Sequence, residues 1–117
     1  MAWPLIGPIS ISKKAFKPSE SNPSVVVLRA GRVLRSDRGN EVVPILHLDV
    51  ELWTADGKRL GLLARLRDLL PGRYAFGLTG RGPNGGVLDA GRYRLRVYAW
   101  PTGGGPSESR SIGFTIR

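Results

Sequence analysis

The sequence contains no cysteine and a single histidine, and this shortage of reactive side chains limits its chemistry. Without cysteine the chain has neither disulfides nor thiolate metal ligands. His47 has no second imidazole with which to hold a metal ion. No run of about 20 apolar residues is present, so the sequence predicts no membrane-spanning segment.

The few groups that resemble catalytic ones have simpler interpretations. Asp49 and Glu51 share one strand face with His47 and are expected to form a solvated surface. The glycine-rich stretch at 80–86 lacks the Lys-Ser/Thr ending of a phosphate-binding loop. The serines between 107 and 111 have only the distant His47 as a base. We therefore expect a non-enzyme with no catalytic residue, metal ion, cofactor or small-molecule substrate.

Acidic residues are scarce, with 9 against 18 basic ones, and the formal net charge is +9. Such a charge favours adhesion to polyanions such as nucleic acid, anionic lipid or acidic glycans. Only four basic residues are lysine, however, and arginine-rich usage also follows from a GC-rich genome or from heat adaptation. The sequence leaves both interpretations open.

Glycine and proline are frequent, with 16 and 9 among 117 residues, and this predicts one domain with many turns and few long helices. Period-two alternation is clearest in the strand predicted over 43–53, where Leu46, Leu48, Val50 and Leu52 share one face. Asp56-Gly57 then predicts a hairpin. Further strands are predicted at 9–16, 25–34, 60–66, 73–78, 92–100 and 110–117, with a bulge near Gly31.

The leucine-rich stretch at 60–72 also fits one face of a helix. Its neighbours favour a strand followed by a turn, because a hairpin precedes it and Pro71-Gly72 ends it. About seven strands without a helix predict an all-β fold, an immunoglobulin-like antiparallel β-sandwich. A small closed barrel is the alternative. Residues 1–8 are expected to form an N-terminal arm and residues 9–117 the sandwich.

The order of four motifs resembles a known family. Phe16-Lys17-Pro18 is followed by LDVELWTADGKRL (48–60), then LLPGRYAF (69–76), then NGGVLDAGRYRLRVYA (84–99). Over roughly residues 9–117 this resembles the FlgD-like immunoglobulin-like domains of bacteria, named for the flagellar hook-capping protein. One departure lies at 78–85, where LTGRGPNG replaces the family's usual Trp-Asp-Gly turn and the tryptophan that plugs that end.

The resemblance implies a non-catalytic module of an exported bacterial protein, located outside the cell or at its surface. Its expected role is spacing, docking onto an adjacent domain of a larger parent protein, or surface and filament assembly. The start MAWPLIGP (1–8) lacks a basic leader and a cleavage site, so it is not a signal peptide by itself.

The candidate interaction surface centres on the strand at 92–100. The resemblance implies that Tyr93, Leu95, Val97 and Ala99 are core, which leaves alternate residues on the exposed sheet face. Cationic and aromatic groups in such a row can pair and stack with nucleic acid or acidic glycans. The candidate residues are Arg92, Arg94, Arg96, Tyr98, Trp100, Trp53 and Trp3.

Two further expectations concern binding. A polyanion-binding module, the alternative function, would also use Arg29, Arg32 and the lysines at 13–17. The apolar segment at 1–12 could instead pair with the edge strand of an identical subunit. The tryptophans are expected either to pack on the arm or a neighbouring domain, or to form a docking patch.

Overall fold

The computed structural model describes residues 5–31, 34–35, 38–39 and 41–117, with backbone alone for 34–35 and 41–42. All of its regular structure is β-strand, and the described residues contain no helix. Ten strands follow in chain order: β1 (Ile6–Ile11), β2 (Ala15–Phe16), β3 (Ser24–Ala30), β4 (Leu34–Arg35), β5 (Glu41–Val42), β6 (Leu46–Thr54), β7 (Arg59–Leu69), β8 (Gly72–Leu78), β9 (Gly91–Pro101) and β10 (Glu108–Ile116).

Two larger sheets face each other across the core. The three-stranded sheet has the order β1-β3-β8, and the five-stranded sheet has the order β2-β10-β9-β6-β7. Neighbours are antiparallel except for β2, which runs parallel to β10. The strands β4 and β5 form a separate hairpin. The prediction of an all-β sandwich is confirmed, and the described strands do not close into the alternative barrel.

The core follows the alternation of the two central strands of the five-stranded sheet. The apolar register of β6 is fully buried at Leu46, Leu48, Val50 and Leu52, and that of β9 is buried at Tyr93, Leu95, Val97 and Ala99. Val26 and Leu28 of β3 face them from the other sheet. Burial of each of these aliphatic side chains stabilises the folded state by about 1.5–3 kcal/mol relative to leaving it exposed. Period two therefore predicted the central strands correctly.

The ambiguous leucine-rich stretch is strand β7, since pairing with β6 continues from Arg59 to Leu69. The pairing register shifts at three points, so β7 carries extra residues relative to its partner. One shift brings Asp68 to φ 56°, a left-handed conformation that is uncommon for a residue other than glycine. Because the extra residues shift the alternation, Leu60, Leu63, Leu66 and Leu69 all pack against the core, and this spacing of three residues resembles one face of a helix.

The prediction of one strand over 9–16 is wrong, because β1 and β2 belong to different sheets. The chain crosses between the sheets near Lys13, where the fully buried Ser24 holds the backbone. The Ser24 hydroxyl donates to the Lys13 carbonyl oxygen at 2.8 Å and accepts from the Lys13 amide at 3.0 Å. In the sequence Ile9 and Ile11 alternate with serines, and Lys13-Lys14 and Ala15-Phe16 follow, whereas the residue that marks the crossing lies eleven positions after Lys13.

The second predicted strand ends earlier than expected, at Ala30. Gly31 follows with φ +67° and terminates the strand instead of forming a bulge within it. A Cβ at this glycine would lie 3.0 Å from Leu46 Cδ1. Of the predicted N-terminal arm, residues 5–8 are described, and Leu5 and Ile6 are buried in the core.

Candidate interaction surface

The outer surface of the five-stranded sheet, which we call the arginine face, carries most of the candidate residues. Arg92, Arg94 and Arg96 are all exposed on β9, between buried neighbours. Strand geometry separates successive members of this row by about 6.8 Å. The arginine face is formed by His47, Asp49, Glu51, Trp53, Arg59, Arg65, Arg67, Arg92, Arg94, Arg96, Tyr98 and Trp100.

An acidic row lies along the middle of the arginine face, on β6. Asp49 Oδ1 lies 3.0 Å from Arg67 Nη1 and 3.5 Å from Arg65 Nε. Glu51 Oε2 lies 2.7 Å from Arg59 Nε. The two carboxylates are thus ion-paired with the arginines of β7 and do not form an acid–base pair with each other. Sequence reasoning missed the β7 arginines, although the Asp56-Gly57 hairpin places their strand beside β6.

Glu51 is held as an anion. Burial by itself raises the pKa of this carboxyl, but the hydrogen bonds from Arg59 and Trp53 and the positive charge of Arg59 lower it by more, so that the net pKa lies below its usual range. Trp53 Nε1 donates to Glu51 Oε1 at 3.0 Å. An ionised carboxylate at this point fixes the indole and the Arg59 guanidinium and cannot act as a proton donor near neutral pH.

The two described tryptophans lie under arginine side chains. The Arg96 guanidinium carbon is 4.7 Å from the ring centroid of Trp53. The Arg67 guanidinium carbon is 5.2 Å from the ring centroid of Trp100. Both distances fall within the range of cation–π contact. Trp53 and Trp100 therefore pack within the arginine face itself, where they hold cations above the sheet.

The first part of β9 borders two grooves on the arginine face. Arg94 lines two shallow grooves, one of about 340 Å³ beside Trp53 and Arg96 and one of about 460 Å³ beside Lys14 and Arg92. Among the described residues, Arg92 and Arg94 make no ion pair. Asp56 lines the groove beside Trp53, whereas no acidic residue of the described chain lines the groove beside Lys14 and Arg92.

The basic residues predicted for polyanion binding do not form one surface. Arg29 lies on the outer side of the three-stranded sheet, directly opposite Arg73, and so faces away from Arg94. Lys14 does join the groove beside Arg92. Arg32 and Trp3 lie outside the described residues.

His47 has a structural role on the arginine face. Its Nδ1 accepts a hydrogen bond from the backbone amide of Asp68 at 3.3 Å, across the bulge in β7. Its ring makes an edge contact with Trp100, with 5.7 Å between centroids. Within the part of the chain that the structure describes, no three side chains of metal-binding type come together. The same part contains no helix long and apolar enough to cross a membrane.

Comparison with known proteins adds no relative, since no family model, no curated protein and no solved structure matches the chain. The function must therefore be inferred from the geometry of the chain itself.

Proposed function

We propose that this chain is a non-catalytic immunoglobulin-like module that docks onto an acidic partner surface through its arginine face. The partner is an adjacent domain of a larger parent protein or another protein subunit. The strand order supports the immunoglobulin-like assignment, because three strands face a sheet in which β10, β9 and β6 are consecutive neighbours.

A second feature supports this assignment. Tyr93 lies near the start of β9, and its hydroxyl donates to the carbonyl oxygen of Asp89 at 2.7 Å. A tyrosine that bonds back to the backbone at the corner before this strand is a hallmark of immunoglobulin-like sandwiches. The DAGRY motif at 89–93, which carries the resemblance to FlgD-like domains, supplies both partners of this bond.

The arrangement of arginine over tryptophan carries the proposal of docking. Arginine and tryptophan are enriched among residues that dominate binding energy at protein interfaces. Here the hydrogen bond to Glu51 holds the Trp53 indole, and the indole contacts the Arg96 guanidinium. Both side chains are therefore restrained before binding, and they lose less conformational entropy when a partner binds. The resemblance to FlgD-like domains further supports a place in an exported bacterial protein, outside the cell or at its surface.

The charge of the surface favours one alternative, a polyanion-binding module. Lys14, Arg92 and Arg94 line one groove, and a sulfated glycan or nucleic acid strand would supply the anions that this groove lacks. Trp53 offers an adjacent aromatic ring for stacking, although Arg96 already covers it.

Retention on three immobilised polymers separates these possibilities: polyglutamate, heparin and duplex DNA. We expect Arg92→Ser/Arg94→Ser to elute at clearly lower salt than the wild-type chain. Arg29→Ser/Arg73→Ser is the matched control, since it removes the same charge from the opposite sheet. If both variants elute at equally lowered salt concentrations, retention depends only on net charge, and the role of the arginine face is overturned.

The choice of polymer then decides the class of partner. Strongest face-dependent retention on polyglutamate supports docking onto an acidic protein, whereas strongest retention on heparin or DNA supports the alternative. A hydrolytic activity of the isolated chain that Asp49→Asn abolishes, with the fold intact, would overturn the non-catalytic assignment. An export signal encoded upstream of the domain is the expected observation for the location.

A further inference from the structure

The two sheets have four edge strands, and three of them are protected against pairing with another chain. The strand β7 has three register shifts. The strand β2 is only two residues long and pairs with Thr115 and Ile116 of β10. The rest of the outer side of β10 has no paired strand among the described residues, but near its start the side chains of Glu108 and Arg110 bond to the backbone of Leu5 and Ile6. The strand β1 contains Pro8 and a register shift between Ile6 and Ile9. Bulges, proline and short length are the usual means by which proteins block edge-to-edge association.

The fourth edge, β8, has none of these features. Its seven residues pair with β3 in an unbroken register from Leu78 to Gly72. It contains no proline, and its one charged residue is Arg73. Among the described residues, no strand pairs with its other side. A regular, nearly uncharged edge of this length is a template for another strand.

The core-facing side chains beside this edge are incompletely covered. Tyr74 and Phe76 of β8 point toward the core side, since they lie opposite the buried Leu28 and Val26. Both aromatic side chains are only half-buried. At the edge of the facing sheet, β7 adds further half-buried leucines that pack against the core. An added strand would bury more of this apolar surface.

We propose that two copies of this chain associate through β8, with a twofold axis at Ala75, to form a continuous six-stranded sheet. The core-facing sides of the two copies must coincide, which excludes every register that pairs an outward residue with an inward one. Of the remaining antiparallel registers, only the one centred on Ala75 pairs all seven residues of β8.

The sequence of β8 is complementary to itself in this register. Arg73 lies opposite Gly77 of the partner subunit, which offers no charge and no side chain. Tyr74 lies opposite Phe76 of the partner subunit, an aromatic cross-strand pair on the core side. Ala75 lies opposite its own copy, with Cα atoms about 4.5–5.5 Å apart, so a charged residue at this position would face the same charge on the partner subunit.

The net positive charge of each copy opposes this association, so the dimerisation constant should depend on salt concentration. Each copy carries a net charge of +9, so the two copies repel each other at low ionic strength. Salt screens that repulsion, with a Debye length of about 10 Å at 0.1 M and 3 Å at 1 M. The dimer should therefore strengthen as salt rises, whereas binding of polyanions to the arginine face should weaken. The two proposals can fail separately.

Sedimentation at increasing protein concentration, in low and high salt, tests the dimer. We expect the wild-type chain to shift from monomer to dimer, and more readily in high salt. Ala75→Lys and Ala75→Glu should each remain monomeric, because like charges then meet at the axis. An equimolar mixture of these two variants should dimerise again. Ser10→Lys, on the exposed outer side of β1 in the same sheet, should behave as the wild type.

Two outcomes would overturn the proposal: a wild-type chain that stays monomeric at all concentrations and salts, or a dimer that survives Ala75→Lys. Circular dichroism checks that each variant remains folded. Cross-linking tests the register independently, since the chain has no cysteine of its own. Ala75→Cys should form an intermolecular disulfide, whereas Arg73→Cys should not, because its two copies would lie about 14 Å apart. Equal cross-linking of both variants would rule out the register.

Discussion

Arg96 lies over the indole of Trp53, with its guanidinium carbon 4.7 Å from the ring centroid, and the same indole donates to Glu51. The last arginine of the β9 row is thus held by an aromatic ring and does not simply extend into water. The other two arginines of the row, Arg92 and Arg94, make no ion pair with any described residue. The row therefore contains one arginine that is stacked on a tryptophan, Arg96, and two without an ion pair among the described residues, Arg92 and Arg94.

The Arg96–Trp53 contact should be measurable as a coupling energy. In a double-mutant cycle with Arg96→Gln and Trp53→Leu, we expect about 0.5–1 kcal/mol of coupling in the free energy of unfolding, the range of exposed cation–π pairs. Urea denaturation measures it. Arg92→Gln combined with Trp53→Leu serves as the control and should be additive. Additivity in both cycles would show that the stacking adds no stability.

Glu51 should make stability depend on pH in the acidic range. Its pKa is lowered on folding, so its contribution is present above the ordinary value of 4.5 and is lost as the pH falls through the folded pKa. At pH 7 we expect Glu51→Gln to cost about 0.5–1 kcal/mol, and the difference from the wild type should vanish in acid. Urea denaturation across pH 2–7 measures the change.

A second ion pair provides the control for Glu51. Glu20 lies 2.7 Å from Arg81, but its side chain is 70% exposed, against 15% for Glu51. Glu20→Gln should therefore leave the free energy of unfolding almost unchanged at pH 7. Equal effects of the two substitutions would contradict the contribution assigned to the Glu51 network.

Tyr93 should stabilise the corner before β9. Loss of its hydrogen bond to Asp89 in Tyr93→Phe should cost about 1 kcal/mol at pH 7. Burial, together with the nearby charge of Asp89, raises the pKa of the Tyr93 phenol above its ordinary value of 10. The stabilisation is therefore complete below pH 10 and is lost as the pH rises through the folded pKa. Denaturation measured at pH 7 and above pH 10 should show that the difference in the free energy of unfolding between the wild type and Tyr93→Phe becomes smaller. A difference that stays constant with pH would contradict this.

His47 should stabilise the β7 bulge through its Nδ1 acceptor. His47→Ala leaves the Asp68 amide without this partner and removes the ring from Trp100, so we expect a cost of about 1 kcal/mol in the free energy of unfolding. His47→Asn places an amide oxygen near the position of Nδ1 and should recover part of the loss. Hydrogen exchange at the Asp68 amide gives a local readout. Identical exchange in the two variants would exclude the hydrogen bond as the cause.

The strands with one buried face were predictable because, in such strands, apolar residues on the core side alternate with polar residues on the solvent side. In β6 and β9 the core-facing positions are apolar. The outward-facing positions carry the arginines, carboxylates and tryptophans. The stretch over 9–16 shows the limit of this signal. Ile9 and Ile11 lie before the crossing at Lys13 and Phe16 lies after it, and the chain is held there by Ser24, a buried residue eleven positions later in the sequence.

The sequence by itself determined an all-β chain, the burial of alternate residues in its central strands and the exposure of the arginine row. Only the tertiary structure decided which arginines meet which partners, and that β8 is left as a regular edge strand without a bulge or a proline. The physical reason is that alternation is local to one strand, whereas ion pairs, stacking and free edges depend on which strands are neighbours. Strand order arises from packing between segments far apart in the chain.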